Sequence, residues 1–231
     1  MKSKIKVSIF FICLFFGFHG TCFGDDDSKH KIIDNSMSCD EVYEYAKRLI
    51  TVNPSSKEDF DFQKYDKKLH EAELILSNHH SKCQNDIEFV TLLSNIKKKL
   101  GSYDDALKYA KIALNIDKNY AMANYILGEI YIQKNDYENG LKYIRRALAK
   151  KPNDKDFLLN YCGFLLAAEK HREAIKVCTE IISKNELEGR LKGYIYYTRG
   201  MAYKSLDKPE KAQKDFSSAK QLGFELPFYG E

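Results

Sequence analysis

The residue types best suited to holding a metal ion or moving a proton are bunched at His70, His79, His80 and Cys83. A zinc site needs four ligands converging on one point. The spacings here are nine, one and three residues. On a helix of about 3.6 residues per turn, these spacings do not bring all four side chains to one face. Solvated histidines near a helix end, favoured by the negative end of its dipole, explain the cluster without a metal. The sequence also contains no glycine-rich phosphate loop, no HExxH zinc helix and no nucleophile elbow. The chain reads as non-enzymatic, with no cofactor, no metal and no small-molecule substrate expected.

Cysteines are the remaining reactive groups, and their chemistry depends on compartment. Lys2, Lys4 and Lys6 precede an apolar run of 12 residues, Val7 to Phe18, and small or neutral residues continue to Gly24 before Asp25, Asp26 and Asp27. That is the layout of a secretory signal peptide over 1–24, with cleavage after Gly24. A membrane span would need about 20 apolar residues. Cys22 invites a lipoprotein reading, but His19, Gly20 and Thr21 before it lack the usual Leu at the third position upstream. The mature chain keeps Cys39, Cys83, Cys162 and Cys178, an even number that permits disulfides in an oxidising compartment.

Removing the signal also changes the charge. It carries three of the 37 basic residues and none of the 33 acidic ones, which leaves a mature charge of +1. A nearly neutral protein gives no general electrostatic case for nucleic acid or for an anionic membrane, so membrane contact is expected only peripherally, through a partner. The basic block Lys97, Lys98 and Lys99 falls at the end of a predicted helix, where it complements the macrodipole.

The elements that position these residues are helical hairpins. Two apolar periodic runs, Tyr125 to Tyr131 and Tyr137 to Leu148, are joined at Lys134, Asn135 and Asp136 and closed by Pro152. Neighbouring stretches repeat this pair, with Ala106, Gly140, Ala174 and Ala212 separated by 34, 34 and 38 residues. A period in this range means stacked helix pairs. Numbering each unit from 1, position 8 holds Ser94, Gly128, Cys162 and Gly200, and position 27 holds Ala113, Ala147, Ile181 and Ala219. Small residues recur where two helices must approach closely, and bulky ones such as Leu127, Tyr161 and Tyr203 fill the space between.

This pattern resembles the tetratricopeptide repeat family. Leu127, Gly128, Tyr131, Ala147 and Pro152 match its offsets in one unit, and Gly200, Tyr203, Ala212, Phe216 and Ala219 in the last. The resemblance covers about 140 residues. The expected fold is an all-α solenoid of about five stacked antiparallel hairpins in a right-handed superhelix. The expected divisions are a flexible lead-in over 25–38, a divergent N-terminal hairpin over 39–86, repeats over 87–120, 121–154, 155–192 and 193–226, and a tail over 227–231. Turns are expected near Gly101, Asn135, Lys170 and Asp207. The four extra residues between Asn185 and Lys192 should either protrude as a loop or extend the following helix backward.

In an antiparallel hairpin turning near position 15 to 16, opposed positions sum to about 32, and Cys162 at 8 and Cys178 at 24 do so. Cys39 begins the first helix and Cys83 follows the second, so a bridge there would staple the open end of the first hairpin. Both bridges are favoured, with two buried thiols as the alternative for Cys162 and Cys178.

The resemblance implies a protein or peptide partner held on the concave side, where the first helix of each pair contributes positions 2, 5, 9 and 12. The leading groove residues are Tyr125, Glu129, Leu159, Tyr194, Tyr197 and Met201. A family subtype that grips a C-terminal carboxylate is rejected, because Thr91, Ile126, Asp156 and Asn160 stand where its pattern differs and only Asn95 agrees. Two settings stay open: a scaffold in a bacterial cell-envelope or secretion assembly, in the periplasm or outside the cell, and a secreted factor acting on a host or neighbouring cell through the same surface. No usable Asn-x-Ser/Thr acceptor occurs, since Pro54 disqualifies Asn53, which mildly favours the bacterial envelope. The apolar tail, Phe224, Leu226, Phe228 and Tyr229, is expected to fold back on the last hairpin or to mediate oligomerisation.

Overall fold

The computed structural model describes residues 36–51, 61–184 and 187–224. The expected signal peptide, most of the lead-in, the Asn53 to Ser56 connection, Asn185, Glu186 and the tail from 225 onward lie outside the described residues. Ten α-helices and no strand occur among the described residues. They are α1 (Cys39–Ile50), α2 (Phe62–Cys83), α3 (Ile87–Lys99), α4 (Tyr103–Ile116), α5 (Ala121–Gln133), α6 (Tyr137–Lys150), α7 (Lys155–Ala167), α8 (His171–Lys184), α9 (Gly189–Ser205) and α10 (Pro209–Gln221). No described helix is long and apolar enough to cross a membrane.

Helix starts and stops follow local chemistry. Ser38 and Glu41 form a reciprocal capping box on α1, and the side chains of Asp86, Asp136 and Asp154 accept backbone N–H groups at the starts of α3, α6 and α7. Every repeat hairpin then turns in one way. Gly101, Asn135, Glu169 and Asp207 take positive φ between 55° and 77°, and the next residue donates back to the carbonyl of Lys97, Tyr131, Leu165 or Tyr203. This left-handed stop satisfies helix carbonyls that would otherwise be orphaned. The third turn therefore centres on Glu169, one residue before the expected Lys170. The extra residues before the last unit extend the helix: α9 has 17 residues where α3, α5 and α7 have 13.

Packing within each hairpin depends on the small positions. A Cβ placed on Gly128 would lie 2.5 Å from Ile144 Cγ1 and 3.0 Å from the Gly140 carbonyl oxygen, so α5 and α6 are almost in backbone contact. Ser94 serves the same position in the first repeat and uses its hydroxyl to reach the Ala106 carbonyl across the hairpin. The first hairpin packs Val42, Ala46, Leu69, Ala72 and Leu76 against Phe89, Val90 and Leu93 of α3. The Cys39 and Cys83 sulfurs lie 2.12 Å apart in a disulfide, with Cα atoms 5.6 Å apart. The end of the expected flexible lead-in is tied down here, since Met37 is buried and its carbonyl accepts from Lys82.

The far end of the stack closes differently. At positions 21 and 28, Leu107, Leu141 and Ile175, then Leu114, Leu148 and Ile182, pack into the cores between units. The last unit has Gln213 and Lys220 there, both exposed. Helix α10 thus supplies its own polar outer face. Phe224 turns back as expected of the tail, with its ring 5.8 Å from Tyr194 and 5.4 Å from Tyr197.

Replacing Gly128 by Leu should lower stability by about 1 to 3 kcal/mol or more through overpacking, read as a lower urea midpoint. An unchanged midpoint would contradict the close approach. Replacing Cys39 and Cys83 together by Ser should cost roughly 2 to 4 kcal/mol by freeing the unfolded chain, and peptide mapping of the oxidised parent should show the linked pair.

Candidate functional site

The inner helices α3, α5, α7 and α9 lie side by side, and their contacts decide which predicted groove residues are open. Tyr125 is buried, its ring stacked on Phe157 of α7 at 4.2 Å, and its hydroxyl accepts from the Asn160 amide. Leu159 and Tyr194 are buried together in the core between α7 and α9. Glu129 is buried in an ion pair with Lys98 of α3. The expectation that these four side chains line an open groove is therefore corrected. Tyr125 and Leu159, at position 5, lean onto the next inner helix, and Glu129, at position 9, reaches back to the previous one. Tyr197 and Met201 remain partly exposed, one turn apart on α9. Met122 and Leu166, at groove positions of α5 and α7, are also partly exposed.

The two cysteines of the third unit are corrected as well. Cys162 and Cys178 are buried free thiols, not a bridge. Burial first, and then a hydrogen bond with Cys178, pushes the Cys162 thiol well above its ordinary value. They occupy the slot that Gly128 and Ile144 fill in the second unit, and behave as a matched pair of small apolar side chains.

His70 is exposed, as expected, but the other two histidines differ from the solvated state expected of them. His79 is buried with Nδ1 2.9 Å from the Ile75 carbonyl oxygen, His80 meets the Tyr109 ring edge-on, and Cys83 is committed to its disulfide. Among the described residues no three His, Cys, Asp or Glu side chains are grouped so as to hold a metal ion.

Charged contacts between helices were not legible in the repeat pattern. Arg145 of α6 donates to both Glu173 oxygens at 2.9 Å and to the Tyr161 hydroxyl, which itself donates to Glu173. Burial, and then the bond to Glu173, pushes the Tyr161 hydroxyl up to about 12, so it stays a donor. Arg199 grips Asp215 through two bonds of 2.8 and 2.7 Å and joins α9 to α10. The Lys97 to Lys99 block does more than complement a dipole. Lys97 pairs with Glu73 at 2.5 Å, Lys98 with Glu129, and Lys99 donates to the Tyr65 hydroxyl. Each contact joins two different helices, so no spacing within one helix signals it.

Comparison with known proteins agrees with this architecture. Residues 91–155 and 127–187 match one tetratricopeptide repeat model, and residues 193–222 match another; together the matches span more than half of the chain. Among solved structures, a crystal structure of MamA is 20% identical, covers 72% of this chain and 96% of its own, and has a TM-score of 0.59. The MamA MSR-1 and MamA AMB-1 structures are each 16% identical over 80% of this chain, covering 93% and 96% of their own, with a TM-score of 0.62. These likenesses are of fold. No curated protein matches the chain in sequence.

Burial pushes the Glu73 carboxyl up, but the hydrogen bonds from Lys97 and Ser77 overcome this and hold it below its ordinary value. A depressed carboxyl stabilises fully above its unfolded value, and the contribution is lost as pH falls through the folded one. Urea midpoints across acid pH should fall more steeply for the parent than for Glu73→Gln. Parallel curves would remove this pair from the acid response.

Proposed function

The chain belongs to the tetratricopeptide repeat family, a family of protein-interaction scaffolds, and from that premise we propose that it is an exported, non-enzymatic scaffold whose inner face holds a segment of a partner protein. The observation that carries the reading is the pairing of Tyr197 and Met201. They are the members of the predicted groove set that keep solvent access, and they sit one turn apart on an inner helix. An aromatic ring gives large contact area for few rotatable bonds, and a thioether adapts to irregular surfaces. Met122 and Leu166 extend this apolar character along the inner helices.

Export rests on the basic, apolar and small-residue succession of residues 1–24, and the Cys39–Cys83 bridge suits an oxidising compartment. A bacterial cell-envelope or secretion assembly is the setting this reading favours.

Affinity capture with the full chain from its native cells supplies the partner for titration. Tyr197→Ala with Met201→Ala should weaken binding of that partner by about 2 kcal/mol or more, with the urea midpoint changing far less. Tyr194→Ala should lower the midpoint, because its side chain is core. Loss of binding only in proportion to lost folded protein would return Tyr197 and Met201 to a structural role. Undiminished binding by a folded double variant would place the partner elsewhere.

A further inference from the structure

The seam between the disulfide-linked first hairpin and the repeat array holds an imidazole whose surroundings favour the neutral ring. His80 stands on α2, three residues before Cys83, and its ring meets Tyr109 of α4 with centroids 5.0 Å apart and planes 70° apart. Its Nε2 is buried and has no hydrogen-bond partner among the described residues. The adjacent His79 differs, because its buried ring has Nδ1 2.9 Å from the Ile75 carbonyl oxygen. A second proton on the His80 ring would make Nε2 a charged donor, buried with nothing to accept from it, which is the costliest state for such a group.

The neighbouring charges act in the same direction. From α4, Lys108 is the charged group that acts on the ring, and it repels a second positive charge. The other ionisable groups near the seam are committed elsewhere. Glu73 of α2 pairs with Lys97 of α3 and accepts from Ser77, and Asp105 of α4 acts on Lys97. Lys82 of α2 donates to the Met37 carbonyl. Burial first, and then Lys108, holds the His80 imidazole below its ordinary value. The seam can respond as a unit, because the Cys39–Cys83 bridge keeps α1 joined to α2 whatever happens between this hairpin and α3 and α4.

We propose that His80 is an acid-sensitive latch: a proton added at its buried Nε2, against Tyr109 and beside Lys108, shifts the disulfide-closed α1–α2 hairpin toward a state opened away from α3 and α4. The folded imidazole takes up its proton less readily than the unfolded one. The latch is therefore fully closed above the ordinary imidazole value of about 6.5, and stability is lost as pH falls through that value toward the depressed folded one. Each unit by which the folded value is depressed corresponds to about a tenfold rise in the open population. This window lies above that of the Glu73 carboxyl, which is held below its ordinary value, so the two acid responses separate. The inference stands apart from the partner reading, since its test needs no partner.

The test uses the full chain with its disulfide intact. The His80 ring is titrated by NMR in the folded chain and in urea, and native-state hydrogen exchange is followed between about pH 7.5 and 5.5, corrected for the intrinsic pH dependence of exchange. The folded titration should lie below the one in urea. Protection of α1 and α2 should fall several-fold across this range, while that of α5 and α6 holds. His80→Phe keeps an aromatic ring against Tyr109 but takes no proton, and should abolish the fall. Lys108→Gln should move the His80 titration upward and shrink the fall, a readout that does not depend on how well the Phe variant folds. A His80 titration no lower in the folded chain than in urea would overturn the proposal. So would an equal loss of protection in His80→Phe, or a loss spread evenly over all helices.

Discussion

The near-contact of α5 and α6 at Gly128 and Gly140 is the constraint on which the rest of the stack depends. Each glycine's missing Cβ is matched by a bulky aliphatic from the opposing helix: Ile144 over Gly128 and Ile132 over Gly140. A gap of half an ångström to an ångström would already forfeit a quarter to a half of each dispersion contact, so the pair is held at one spacing. That spacing sets the cleft into which the next inner helix drops Phe157, Tyr161 and Phe164. Other units reach similar geometry with other pairs, Cys162 with Cys178 or Gly200 with Phe216. Position 8 is therefore a volume rule more than a glycine rule.

Between units, burial of aliphatic and aromatic side chains supplies the attraction, and charged contacts fix alignment. Arg145 with Glu173 and Tyr161, Lys98 with Glu129, and Arg199 with Asp215 each join two helices. Such pairs cost desolvation that offsets much of their attraction, so their value lies in making a shifted register leave a charge unpaired. The same close packing explains why the inner face is less open than a repeat template implies. Tyr125, Leu159 and Glu129 reach across to neighbouring inner helices and are buried there, whereas Tyr197 and Met201 of the last inner helix keep partial exposure.

The sequence carried the architecture almost entirely, because a 34-residue period with small residues at positions 8, 20 and 27 is a direct record of helix contact. Turn sites were also legible to within one residue. Asn135 and Gly101 are residues that accept positive φ readily, whereas Glu169 is not, so the sequence does not mark it as the third turn. The candidate site was less legible. Tyr125 and Tyr197 hold the same repeat position, yet one has a following helix to pack on and the other has only Phe224. Repeat position cannot report that difference. The polar substitutions at Gln213 and Lys220 did mark the end of the array, and comparing positions 21 and 28 across the units would have revealed it.

A stack of this kind is stabilised by nearest neighbours, so local stability should follow the number of neighbours each helix has. Native-state hydrogen exchange, resolved by helix, tests this most directly. Amides of α5, α6 and α7 should exchange slowest, with protection falling toward α10 at one end and, once the Cys39–Cys83 bridge is reduced, toward α1 and α2 at the other. Uniform protection along the chain, or the slowest exchange in a terminal hairpin of the reduced protein, would contradict a structure built on the central glycine contact.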